Sequence, residues 1–178
     1  MKQPEDIYII RHCANDWLIN AALPLWYEKG IDWNKGGFFE HLSRENLSCN
    51  VDAKRLRVLA RQIYVFSTGV RLDQPYCKKA VIHGVDILIN KAKLHPYGYA
   101  RCLNSNCEII DNTQDLYDLS FCLFSLAHSY RILQDSIISN EATRLSAFIH
   151  EYFLHPIIGY QETLIGSFPR RQNPHMHL

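Results

Sequence analysis

No apolar run in this 178-residue sequence approaches the ~18 residues that a bilayer-spanning helix needs. Charge of one sign is also lacking. Nineteen Lys and Arg against eighteen Asp and Glu leave a formal charge of +1, with a pI near 7.7. Such a balance gives no electrostatic footprint for nucleic acid or a membrane surface, so neither partner is expected. The opening Met1-Lys2-Gln3-Pro4-Glu5-Asp6 has none of the basic-then-apolar layout of a secretion signal, and the cytoplasm is the expected compartment. A glycine-rich phosphate cradle is missing as well. What remains is ordinary: 47% hydrophobic and 21% charged residues, the composition of a soluble globular protein. Residues 1–178 are expected to form a single domain, which at this size buries roughly 70% of its unfolded surface.

Six cysteines are present, at positions 13, 49, 77, 102, 107 and 122. Cys13 and Cys122 sit in apolar helical stretches, where a reduced thiol behaves as a small hydrophobe. Cys102 and Cys107 have the spacing of half a zinc knuckle, but no second Cys/His pair matches it, so no metal is expected. Without an export signal a disulfide framework is not expected either.

The periodicity is helical throughout. A first helix is expected from Asp6 to Lys29, stopped by Gly30. After a polar turn segment around Gly36 and Gly37, a second runs from Asp52 or Ala53 to Gly69 and is apolar on most sides, hence buried all round. The third, Cys77 to Leu94, is amphipathic, with Val81, Val85, Leu88 and Ala92 on one face. The fourth, Gln114 to Leu133, is again apolar nearly all round. The fifth, Asn140 to Leu154, returns to amphipathic, with Ser139 or Asn140 as its N-cap. Pro156 and Gly159 close it, and a turn-rich strand pair over 159–171 leads to a last cluster, Asn173-Pro174-His175-Met176-His177-Leu178, which reads as the opening of a further helix.

Amphipathic helices alternating with buried ones point to a toroid of helical hairpins, an outer ring around an inner one. The register adds a second clue. Arg61, Tyr117 and Asn173 recur every 56 residues, each on a buried helix or at the start of one. Polar groups repeated at one place on successive inner helices imply a shared central pocket.

Several segments carry a family resemblance. They are Gly36-Gly37-Phe38-Phe39-Glu40-His41-Leu42, the run from Lys54 to Ser67, Asp115-Leu116-Tyr117-Asp118-Leu119-Ser120-Phe121, and Arg171-Gln172-Asn173-Pro174-His175-Met176-His177-Leu178. Together, and in this order, they resemble the N-acylglucosamine 2-epimerase family of sugar epimerases and isomerases, which includes cellobiose 2-epimerases and mannose isomerases. The resemblance implies an all-α fold, here the N-terminal half of an (α/α)6 barrel with short β-hairpin-like loops, because family members are about twice as long. It implies chemistry on a monosaccharide or sugar phosphate with no cofactor: a C2 proton leaves an open-chain sugar, an enediolate forms, and the proton returns at C1 or on the other face of C2.

Residue by residue, the resemblance makes Arg61 the arginine that reaches the sugar oxygens near C1 and C2 and stabilises the enediolate. Tyr117 is a pocket tyrosine that orients the sugar. Asn173 and His177 lie four apart, so a helix places both on one face as sugar contacts. His177 is the candidate for ring opening or proton shuttling, since imidazole exchanges protons near neutral pH. Arg61 and His177 are thus the catalytic candidates. Plainer readings stand beside these. A buried Arg61 pairs with Glu40 or Asp118, Tyr117 is a core tyrosine, and Trp17, Trp26 and Trp33 are packing residues. His12, His83, His128, His150 and His155 take surface or packing positions. Leu119 and Ser120 depart from the polar-then-alanine pattern usual in the family, which touches substrate preference. The family's second catalytic histidine is not supplied by these residues. Expected consequences are an inactive polypeptide and, from unpartnered inner-helix faces including Phe121, Phe124 and Val65, self-association or a homodimer. A non-catalytic relic or helical binding fragment is the alternative.

Overall fold

The structure is a computed structural model that describes residues 4–166 and 170–178. Helices α1 (Pro4–Trp17) and α2 (Leu23–Lys29) run on through a π-helical turn, Leu18–Ala22. The expected single helix is therefore present but widened in the middle. Pro24 explains the widening: proline lacks an N–H and its ring crowds the carbonyl four residues back, and a π turn relieves both. Here the Leu23 N–H reaches back to the Leu18 carbonyl.

Strand β1 (Lys54–Arg55) precedes α3 (Leu56–Arg71), so this helix begins later than Asp52 or Ala53. Helix α4 (Cys77–Asn90) follows, then strands β2 (Cys102–Leu103) and β3 (Ile109–Asp111). β1 pairs antiparallel with β2, and β2 with β3, in a small sheet; the resemblance implies short β-hairpin-like loops, but the sequence reading does not place these strands. α5 (Leu116–Leu133) and α6 (Ser136–Phe153) form the next hairpin. Asp135 caps α6 by accepting the Ile137 N–H, which moves the start ahead of the expected Ser139 or Asn140. In place of a strand pair over 159–171, the described residues hold single bridges, Leu154 to Tyr160 and Asp115 to Thr163. Residues 167–169 of that expected pair lie outside the described residues. The short α7 (Gln172–Met176) ends the chain.

α3 packs on α4 and on α5, and α5 packs on α6 and α7. α3, α5 and α7 thus form one arc, backed by α4 and α6. The core between them holds Leu56, Ile63, Phe66, Leu88, Leu116 and Leu126, all fully buried. The amphipathic face of α4 buries Val81, Val85 and Leu88 as expected, while Ala92 is buried just beyond the helix, which ends at Asn90 rather than Leu94.

Three expectations need correction. α3 and α5 are not buried all round: Val65 is 36% and Phe124 37% exposed, on the unpartnered inner face expected for them, because no described element covers it. Phe121, by contrast, is buried. Trp17 is not a packing residue, being 65% exposed on α1, whose apolar Ile7, Ile9 and Ile10 are also exposed. Contact with the core begins at the half-buried Leu18, and Leu23 is the first buried residue. Cys13 shares this exposure, whereas Cys122 is buried.

Candidate functional site

Every inner helix presents its first turns at the same end of the arc. β1 and the Leu56 N–H, which donates to the Arg101 carbonyl, fix the start of α3. Arg57 and Arg61, four residues apart, then share a face one turn from each other. The start of α5 is fixed by Asp115, whose Oδ1 accepts the Tyr117 N–H at 2.9 Å, a standard N-cap bond.

The 56-residue register appears as direct contact. Arg61 Nη2 donates to the Tyr117 hydroxyl oxygen at 2.6 Å. A guanidinium has no acceptor, so the phenol oxygen must accept and its own O–H is left to donate outward. Arg61 also lies over the Phe121 ring, 4.3 Å from the centroid. The His177 ring stands 4.6 Å from Phe121 and 5.6 Å from Tyr117. Arg61, Tyr117 and His177 are therefore gathered around Phe121, a residue the sequence reading places on an unpartnered inner-helix face and gives no part in the site. Asn173 is exposed on α7, one helical turn before His177, outside these contacts.

The carboxylates expected for a structural Arg61 belong to its neighbours. Glu40 pairs with Arg55, and Asp118 takes Arg57 in a bidentate fork, Nε to Oδ1 at 2.6 Å and Nη2 to Oδ2 at 3.0 Å. Burial pushes the Asp118 carboxyl above its ordinary pKa, and the Arg57 hydrogen bond and charge pull against that rise. Among the described residues Arg61 has no carboxylate partner, so its charge is uncompensated at the exposed surface.

The segment bearing His177 is tied down by a second set of groups that sequence reasoning missed. Arg171 donates from Nε to Glu162 Oε2 at 2.7 Å and from Nη2 to Asp115 Oδ2 at 2.9 Å. The Glu162 hydrogen bond is the main cause that raises the already high Arg171 pKa. Asp115 thus uses one oxygen on Tyr117 and the other on Arg171. The signal for it was an aspartate in the first residues of the expected fourth helix, directly before the observed α5, with an arginine 56 residues on. His175 turns away from His177, placing Nδ1 3.0 Å from the Arg171 carbonyl and Nε2 3.1 Å from both the N–H and the carbonyl of Tyr160. The two imidazoles form no chelate. Gly159, at φ +68°, makes room for that contact, since a Cβ there would meet His175 Nε2 at 3.1 Å.

Leu119 and Ser120, the departures from the family pattern, are both fully buried. The Ser120 hydroxyl donates to the Leu116 carbonyl at 2.6 Å. Neither presents a group to the open face. Cys107 is buried beside Lys54, and Cys102 lies on β2. The larger hollows lie elsewhere: one of about 460 Å³ between α4 and α6, lined by Ile82, Ile89 and Ile137, and one of about 320 Å³ beside Asp32 and Lys54. The Arg61 cluster is an open face rather than a closed pocket.

The sequence and the fold both find counterparts among known proteins. The family model described as N-acylglucosamine 2-epimerase (GlcNAc 2-epimerase) matches residues 37–178. A mannose-6-phosphate isomerase of Rhizobium meliloti (strain 1021) is 31% identical over 176 residues, 97% of this chain and 45% of that protein. In fold, the chain is similar to a cellobiose 2-epimerase from Spirochaeta thermophila DSM 6192, with a TM-score of 0.88 at 19% identity over 98% of this chain and 47% of that one. A D-mannose isomerase gives a TM-score of 0.79 at 20% identity over 93% of this chain and 43% of that one. The described architecture is that of half an (α/α)6 barrel with a small three-stranded sheet added. The chain spans about half the length of these relatives.

Proposed function

This chain belongs to the N-acylglucosamine 2-epimerase family, and from that premise we propose that its Arg61–Tyr117–His177 face binds an open-chain sugar for aldose 2-epimerisation or aldose–ketose isomerisation. The observation that carries this reading is Arg61, a cation held by a phenol and an aromatic ring rather than by a carboxylate. In this reading the Arg61 fork takes the sugar oxygens at C1 and C2, where charge develops when the C2 proton leaves. The Tyr117 O–H donates to a sugar oxygen. His177 carries protons to and from the sugar, and Asn173 adds a polar contact from the same short helix. Return of the proton to C1 yields the ketose, and return to the opposite face of C2 yields the epimer. Mannose, mannose 6-phosphate, N-acylglucosamine and cellobiose are the sugars to test.

The expected result is that the purified 178-residue polypeptide binds one of these sugars, detected by saturation-transfer NMR, and that Arg61→Ala weakens binding. Loss of hydrogen bonds to a charged donor is worth about 1.5–3 kcal/mol, a fall of roughly ten- to a hundred-fold in affinity. Binding that is indifferent to Arg61→Ala would refute the assignment. Turnover is a separate matter. Proton transfer from C2 needs a placed base together with a second acid–base group, on the opposite face for epimerisation or at the sugar oxygens for isomerisation, and this cluster offers His177 alone among imidazoles. We therefore expect this polypeptide, assayed by itself, to bind without converting, and sustained conversion of any aldose would overturn that expectation.

A second reading, a non-catalytic interaction fragment, draws on Val65, Phe124 and the apolar residues of α1, which are exposed. It predicts concentration-dependent self-association by sedimentation velocity, suppressed by Phe124→Ser.

A further inference from the structure

Two arginines share one face of α3, and only one of them belongs to the proposed sugar contacts. Arg57 is the other. Its partner Asp118 is 1% exposed, and a carboxylate that deep is costly unless paired and hydrogen-bonded, which the bidentate fork accomplishes. A purely structural pair has no need of a third group. Yet the Arg57 guanidinium lies 5.2 Å from the centroid of the Tyr117 ring, inside the ~6 Å range of a cation–π contact. Phe121 meets the same ring edge-to-face at 5.0 Å. The phenol is therefore held by an arginine that two hydrogen bonds fix in its plane and by a buried aromatic.

The division of labour between the arginines follows from charge. Cations four residues apart on a helix repel, and Asp118 neutralises one of them. Arg57 becomes a rigid wall, while Arg61, joined to the protein by the Tyr117 hydroxyl and the Phe121 ring, keeps its charge for a ligand. We infer that Arg57, fixed by Asp118, is a positioning residue: it braces the Tyr117 ring so that the phenol oxygen stays in the Arg61 fork and its O–H faces outward. The inference deepens the sugar-site reading and rests on it for what the outward O–H is for.

The test labels the protein with [ζ-13C]tyrosine and identifies the Tyr117 signal by its loss in Tyr117→Phe. Arg57→Lys keeps a cation beside Asp118 but lacks the planar fork. It is expected to shift the Tyr117 signal with helix content unchanged. Arg61→Lys is expected to move the signal in the parent protein and to move it far less in the Arg57→Lys background. A Tyr117 signal at the parent position in folded Arg57→Lys overturns the inference. Should Arg57→Lys fail to fold, Arg57→Met/Asp118→Leu replaces the pair by apolar groups and carries the same comparison. D-mannose, mannose 6-phosphate, N-acetylglucosamine and cellobiose are then titrated in turn into the parent protein. If the Tyr117 signal depends on Arg57 but ignores all four sugars, the sugar reading falls and the positioning role stands.

Discussion

Lys54→Met is expected to destabilise this protein more than any other single change considered, by about 3–5 kcal/mol, the usual cost of breaking a buried ion pair from one side. Lys54 and Asp32 are almost fully buried. The ammonium donates to Asp32 Oδ2 at 2.8 Å, to the Gly36 carbonyl at 2.6 Å and to the Ser105 carbonyl at 2.9 Å. Three donors meet three acceptors, and they join the segment after α2, the strand before α3 and the turn between β2 and β3. Methionine fills the volume and satisfies none of them. Asp32 keeps the Lys35 N–H at 2.9 Å but loses its counter-charge. Chemical denaturation of the single variant and of Lys54→Met/Asp32→Asn separates the two contributions. The double variant, which buries no unpaired charge, is expected to recover part of the loss. A single variant within about 1 kcal/mol of the parent would mean that water reaches this pair.

The same pair sets a pH dependence. Burial by itself raises the Asp32 pKa, but the hydrogen bond and charge of Lys54 and the N–H groups of Lys35 and Asn34 outweigh it, leaving the carboxyl below its ordinary value of 3.8. An acid whose folded pKa is depressed stabilises the fold fully above its unfolded pKa. That contribution is lost as pH falls through the lower folded value. In Lys54→Met the burial remains and the cation is gone, so the carboxyl is expected to rise instead. Acidification below neutral would then narrow the gap between variant and parent, readable as converging Tm values from pH 7 to 4.

What could be read from the sequence divides along physical lines. The alternation of α3 to α6 was legible, because burying one face of a helix imposes a period that a single sequence displays. So was the alignment of Arg61 with Tyr117, which register alone implies and a 2.6 Å hydrogen bond realises. The allocation of carboxylates was not. Glu40 and Asp118 were both open as partners for Arg61, while Arg55 on β1 takes Glu40 and Arg57 in the first turn of α3 takes Asp118. The three-stranded sheet escaped because its strands are two or three residues long and pair Lys54 with Leu103, too short for a period of two to show. The exposure of Trp17 escaped for another reason. An apolar helix face announces a partner without saying whether the partner lies within the residues at hand.

Asp115→Ala should have the second-largest effect, about 2–3 kcal/mol, and it should reach the candidate site as well as the fold. Loss of an N-cap aspartate costs ~1 kcal/mol. Loss of a charge-assisted bond from a nearly buried carboxylate to Arg171 adds about 1–2 kcal/mol, since Arg171 retains Glu162. Asp115→Asn makes the discriminating comparison. Its amide oxygen still caps the Tyr117 N–H, so the cost should fall to about 1 kcal/mol, from the weakened Arg171 bond alone. The local consequence is sharper than the global one. Among the described residues Asp115 is the one carboxylate seen to bond both the start of α5 and the arginine leading into α7, so it sets how far Tyr117 stands from His177. Amide exchange is therefore expected to accelerate at Tyr117 and over 171–178 in Asp115→Ala, and only over 171–178 in Asp115→Asn. Uniform acceleration along the chain would show that Asp115 holds up the fold without setting this distance. An effect confined to Tyr117 would show that Glu162 suffices to place His177. Either result would separate the two halves of the site that this carboxylate now joins.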